Sequence, residues 1–158
     1  MATVLNRQLT NLEREFVPAA EAMPEDKFGF APTNGEFKGV RNFGQQIKHV
    51  AATNYLVAAA ILHEQPPAFI KGEDGPESMT SKAEVLQFLK DSFHYTHKAF
   101  ATINEKNATA LIQNPFGSGS VTRLAMSTEI IGHCFNHYGQ IVEYLRMNGI
   151  IPPASRGQ

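Results

Sequence analysis

The sequence predicts an all-α protein built as one four-helix bundle, and three observations predict it. Four segments of about 20 residues carry apolar side chains at spacings of three and four, the period of a single helix face. No segment shows the strict apolar and polar alternation of a half-buried strand, and no internal repeat or low-complexity tract interrupts the chain. The segments are separated by stretches rich in Gly, Pro and Asn, which punctuate helices. At 158 residues, the span 1–158 is expected to be a single domain.

In the first segment Leu5, Leu9, Leu12, Phe16, Ala19 and Met23 mark one face, predicting a helix from about residue 3 to 22. Pro18 removes one backbone donor and is expected to bend or fray its last turn, and Pro24 lies just past its end. Residues 25–41 hold Pro32, Asn34, Gly35 and Gly39 and read as a loop. Asn42 with Gln45 forms a capping box that opens a second helix over about 43 to 63, through Phe43, Ile47, Val50, Val57 and Ile61. Residues 65–79 carry Pro66, Pro67, Gly72, Gly75 and Pro76 and form a second long loop. A connection of that length can return the chain to the end it left and set the next helix parallel.

Ser81 with Glu84 makes another capping box, and Val85, Leu89, Phe93, Thr96, Phe100 and Ile103 mark a third helix to about residue 105. Residues 107–120, with Pro115, Gly117 and Gly119, form a third loop. The fourth helix opens near Thr122 and runs through Met126, Ile130, His133, His137, Ile141 and Tyr144 to Gly149 and Pro152-Pro153.

Composition narrows the function. A chain 42% hydrophobic and 18% charged can bury a core, so disorder is excluded as its main state. Lys and Arg number 14 against 15 Asp and Glu, which leaves no global positive field for nucleic acid. The single cysteine, Cys134, excludes an internal disulfide or multi-cysteine zinc site and fits a reducing compartment. The start of the chain carries Arg7, Glu13, Arg14 and Glu15 and does not read as a signal peptide. The longest apolar run, 55–62, is far short of the roughly 20 residues of a membrane span. A cytoplasmic protein without nucleic-acid or membrane partners is expected.

The six histidines are the chemical resource. His133 and His137, four apart on the fourth helix, stack on one face within reach of a single metal ion. Their direction is bracketed by Met126, Ile130, Ile141 and Tyr144, so they point inward, where two imidazoles need partners that a metal supplies at once. The alternative is a pair of satisfied core histidines. A third ligand should come from another helix. His49 is the best candidate by position, although the second helix is apolar almost all round and periodicity does not choose which side faces a metal. His94 and His97, three apart, read as largely solvated, and His63 as a helix-terminal residue near the C-terminal dipole.

A late helix carrying His133, His137, Gly139-Gln140 and Leu145-Arg146, followed by Gly149 and Pro152-Pro153, with the isolated His49 early in the second helix, resembles the DinB/YfiT-like family. The resemblance implies an up-down-down-up bundle, usually a homodimer, with a divalent metal held by three histidines, here His49, His133 and His137. It also implies nickel or zinc as the metal. Characterised branches include thiol-dependent transferases and isomerases that use a low-molecular-weight thiol such as bacillithiol or mycothiol. The chain departs from many relatives at Tyr138, where they carry Arg, and at Asn136, where they carry His. Neither position belongs to the triad.

Three imidazoles leave open positions on a metal, as in catalytic sites, so the expected function is a metal-dependent enzyme that activates a thiol or water for a small-molecule substrate. Transfer is favoured over hydrolysis by family analogy alone. The alternatives are a non-catalytic metal-binding or ligand-sensing bundle and a metal-free association module. Gln140 is a candidate for orienting ligands or substrate. Tyr144 is either a substrate donor or a core aromatic with its hydroxyl satisfied, and Glu129 either a partner of His133 or a surface carboxylate. Cys134 reads as a packing residue. Leu124, Ile131, Phe135 and Val142 form a second apolar stripe, a dimer face if the bundle leaves it uncovered.

Overall fold

Four helices account for most of the computed structural model, which describes residues 1–157. They are α1 (Ala2–Ala22), α2 (Phe43–Leu62), α3 (Lys82–Ala101) and α4 (Arg123–Met147), with 3-10 turns at Glu25–Lys27 and Pro153–Ser155. Both capping boxes form: Asn42 and Gln45 exchange side-chain and backbone bonds at the start of α2, as do Ser81 and Glu84 at the start of α3. α1 continues to Ala22 across Pro18. Ala19, Ala20 and Met23 are fully buried there, and that packing outweighs one lost backbone bond.

Contacts between the helices fix their directions. Lys82, opening α3, donates to the carbonyls of Glu21 and Met23 at the end of α1, and His97 late in α3 meets Asn6 and Glu13 early in α1. These two helices are antiparallel. Lys48 in α2 donates to the carbonyls of Pro76 and Met79 just ahead of α3, while Tyr95 and Lys98 of α3 reach Glu64 just past α2, so α2 and α3 are parallel. Gln46 bonds Gln140, and Asn54 accepts from Cys134, which sets α2 antiparallel to α4. The order is up-down-down-up, as the long second connection requires.

The core runs the length of the bundle through Leu9, Leu12, Phe16, Phe43, Ile47, Leu89, Phe93, Phe100 and Met126, with Phe16 edge-on to Phe93 at 6.2 Å. The connection after α2 runs back along that helix. Phe69 packs on Tyr55 at 5.7 Å, the carbonyl of Glu73 reaches His49, and Gly75 sits against Lys48.

Three expectations are corrected. The chain contains a short antiparallel hairpin, β1 (Leu111–Gln113) and β2 (Ser120–Thr122), in register Ile112↔Val121. Strands of three residues are too short to display alternation. α3 ends at Ala101 rather than near 105, because Asn104 and Asn107 turn their side chains onto local backbone amides and carbonyls and compete with the helix. His97 is not solvated: it bonds Asn6 and Glu13 and ties α3 to α1. The condition set for the second stripe of α4 is met only in part: Ile131 is buried and Leu124 packs on the core, while Phe135 is 44% exposed.

Candidate metal centre

α2 is buried on nearly every side because α3, α4 and the returning connection all cover it. The side carrying His49 faces α4, which settles the direction that periodicity left open. His49 on α2 and His133 and His137 on α4 converge there, with ligand nitrogens all within 4.8 Å of one another. His49 and His137 are buried and His133 half-buried. His49 Nε2 and His133 Nε2 lie 3.0 Å apart, and the rings of His133 and His137 are 4.4 Å apart between centroids.

The outer nitrogens decide which atoms face inward. His49 Nδ1 lies 2.8 Å from the carbonyl oxygen of Glu73, an atom that only accepts. His49 is therefore protonated at Nδ1, and its Nε2 carries a lone pair. His137 Nδ1 lies 2.6 Å from Gln46 Oε1. The Gln46 carboxamide is oriented in turn because its Nε2 donates to Gln140 Oε1 at 2.9 Å. Gln46 is 2% exposed, so this chain runs through the protein interior. His133 Nδ1 is buried without a partner among the described residues. A proton shared between His133 Nε2 and His49 Nε2 leaves that Nδ1 lone pair unsatisfied, an arrangement that is costly inside a protein.

Electrostatics keep the rings neutral. Burial is the main cause pushing all three histidines below the usual imidazole value, to about 4 for His133 and about 3 for His137. Repulsion from the neighbouring imidazoles adds to the shift of His133 and His137, and the Arg41 guanidinium adds a smaller push on each ring. Three converging neutral imidazoles, with the outer N–H groups of His49 and His137 held by carbonyl oxygens, are the donor set of a divalent transition metal, so the residues present fit such an ion.

Two cavities flank the cluster. One of about 680 Å³ lies on the His137 side and is lined by Arg41, Gln46, Lys48, Asp74, Glu77 and Gln140, among others. The other, about 200 Å³, lies on the His133 side, between Thr53, Glu73, Phe116, Glu129 and Ile130. A small molecule reaching the cluster from the first meets a polar wall, and from the second a mostly apolar one.

The remaining candidates fall into place as follows. Gln140 supports Gln46 and lines the larger cavity. Tyr144 is a buried aromatic whose hydroxyl donates to the Arg41 carbonyl at 3.1 Å, outside the walls of both cavities. Glu129 is exposed at the edge of the smaller cavity. Cys134 is fully buried with Sγ 3.4 Å from Asn54 Oδ1, and burial pushes its thiol far up. His94 and His63 are exposed, and His63 caps α2 in the left-handed conformation.

Sequence reading missed Gln46, Arg41 and Glu73. Gln46 left a signal, a polar residue one turn before His49 on a mostly apolar helix. Arg41 and the Glu73 carbonyl act through contacts distant in sequence and left none.

With this geometry in view, three comparisons bear on the chain. The profile of the DinB superfamily matches residues 8–141. Among curated proteins no match was found. A crystal structure of a DinB-like protein from Bacillus subtilis superposes with a TM-score of 0.71 at 17% identity, covering 92% of each chain. A conserved protein from Enterococcus faecalis does so with a TM-score of 0.72 at 16% identity, over 92% of this chain and 95% of that one. At such identities the two structures establish a shared fold.

Proposed function

This chain belongs to the DinB superfamily, and on that premise we propose that it is a metal-dependent enzyme in which His49, His133 and His137 hold a divalent ion, zinc or nickel. The substrates in this reading are a low-molecular-weight thiol and an electrophile, which makes the reaction an S-transfer. Hydrolysis by activated water is the second form of the same chemistry. The observation that carries the proposal is the convergence of three neutral imidazoles, with the outer nitrogens of His49 and His137 already committed to Glu73 and Gln46.

When bound, a divalent ion supplies Lewis acidity that makes a thiolate or hydroxide available near neutral pH. The chain's own residues do the rest. Glu73 and Gln46 hold the tautomers of His49 and His137, and Gln140 holds Gln46. The cavity of about 680 Å³ admits a small molecule beside His137, with Arg41 and Lys48 on its wall. The reading includes pairing of two chains, as the resemblance implies, which light scattering tests.

Metal analysis of untagged protein against a double variant, His133→Ala with His137→Ala, tests the centre. Stoichiometric metal in the parent and none in the variant is expected. Thiol consumption over a panel of electrophiles, with and without chelator, separates an enzyme from a non-catalytic binder. Activity unchanged by complete metal removal rejects the proposal.

A further inference from the structure

The larger cavity holds an arginine whose present partner is poorly matched to it. Arg41 sits one residue before the N-cap of α2, its carbonyl fixed by the Tyr144 hydroxyl, and it lines the cavity with His137. Its Nε and Nη2 donate at 3.0 and 2.8 Å, both to the single oxygen Oδ1 of Asp74. The two-on-two fork that a carboxylate offers a guanidinium is left unmade. The Asp74 side chain is 81% exposed, and exposed pairs of this kind are weak. Lys48, another cation of the cavity, is engaged by the carbonyls of Pro76 and Met79.

We propose that the cavity receives a carboxylate-bearing substrate, with Arg41 as the group that takes the carboxylate and Asp74 as the chain's own stand-in, displaced when substrate enters. The proposal rests on the metal reading above in naming what the rest of the substrate approaches and in its charge balance, whereas the Arg41–Asp74 geometry stands without it. Charge balance favours it. Arg41 and Lys48 cancel Asp74 and Glu77, so an ion held by neutral imidazoles leaves the cavity in positive excess. The exchange also touches the centre itself, because Asp74 directly follows Glu73, whose carbonyl orients His49. Seating of the carboxylate and alignment of His49 therefore meet on one short stretch of the returning connection.

Calorimetric titration of the zinc-loaded and chelator-treated protein with succinate, and with uncharged succinamide as control, tests this. Succinate binds the parent protein in both forms and succinamide does not. Arg41→Gln weakens succinate by about tenfold or more, and Asp74→Asn tightens it several-fold by removing the competitor. Asp74→Asn changes only an exposed side chain and reads the same competition if Arg41→Gln unfolds. Succinate indifferent to Arg41→Gln in a folded variant overturns the proposal, as does weaker binding in Asp74→Asn or no binding to the parent. A parent that holds no zinc but binds succinate through Arg41 sinks the metal reading and leaves this one standing. Zinc bound with no response to succinate does the reverse.

Discussion

His137 Nδ1 and Gln46 Oε1 stand 2.6 Å apart, and Gln46 is itself held by Gln140, so the orientation of one imidazole on α4 is set by a side chain on α2. Outer partners of this kind contribute 10–100-fold in metal affinity. Gln46→Leu is therefore expected to weaken zinc binding by about that factor, and Gln46→Glu, which still accepts from His137, to retain it. Competition against a chromophoric chelator measures both. Equal affinity in the parent and Gln46→Leu means that the carboxamide does not orient His137.

Metal should stabilise the fold in proportion to its binding. At a free concentration one hundred times Kd the expected gain is about 2.7 kcal/mol, or roughly 5–10 °C in Tm for a chain of this size. Single His49→Ala, His133→Ala and His137→Ala variants are expected to lose most of that shift while melting close to the chelator-treated parent. His133→Ala also removes a buried nitrogen that has no partner among the described residues. Differential scanning with and without zinc reads the shift, and a full shift in all three variants places the ion elsewhere.

The bundle was legible because its signals are local. Asn42 with Gln45 and Ser81 with Glu84 announce two helix starts within four residues each, and both form as read. The pair His133 and His137 was legible for the same reason, a helical period on one element. His49 was placed by position rather than direction, since buried residues surround α2 and no polar face orients it. What escaped was non-local. The Glu73 carbonyl reaches His49 across 24 positions as a backbone group, and Tyr144 reaches the Arg41 carbonyl across 103. Neither contact has a side-chain pattern to read. The hairpin escaped because Leu111–Gln113 and Ser120–Thr122 hold one and a half alternations each.

The metal-free protein should lose stability in acid through its histidines. His133 and His137 titrate in the folded chain at about 4 and about 3, below their ordinary value of 6.5. Above 6.5 both states are neutral there and nothing is lost. As pH falls through 6.5 the unfolded chain takes up protons that the folded chain refuses, so unfolding becomes easier down to about 4 for His133 and about 3 for His137. Chelator-treated protein is expected to melt progressively lower from pH 6.5 to 4, with a shallower slope in His137→Ala. Parallel slopes in parent and variant mean that His137 is not held neutral by the fold.

Gly75 offers a way to disturb the centre from the connection that supports it. Its φ is +72°, in the left-handed region, and a Cβ there would stand 3.2 Å from the Phe88 ring and 3.3 Å from the Lys48 carbonyl. An alanine costs about 1–2 kcal/mol for the backbone conformation alone, and the contact with a helix carbonyl cannot relax as a flexible side chain would. The connection is therefore pushed off α2 at the point where Glu73 and Asp74 meet His49 and Arg41. Gly75→Ala is expected to lower Tm by roughly 2–8 °C and, separately, to weaken zinc binding, because His49 loses the acceptor that fixes its tautomer. A matched alanine at Gly72, where φ is ordinary and no atom of the described residues lies within 4 Å of the added Cβ, should change neither. Thermal melts and zinc competition on the two variants separate the effects. Zinc affinity unchanged in a folded Gly75→Ala protein means that the returning connection covers the centre without holding it.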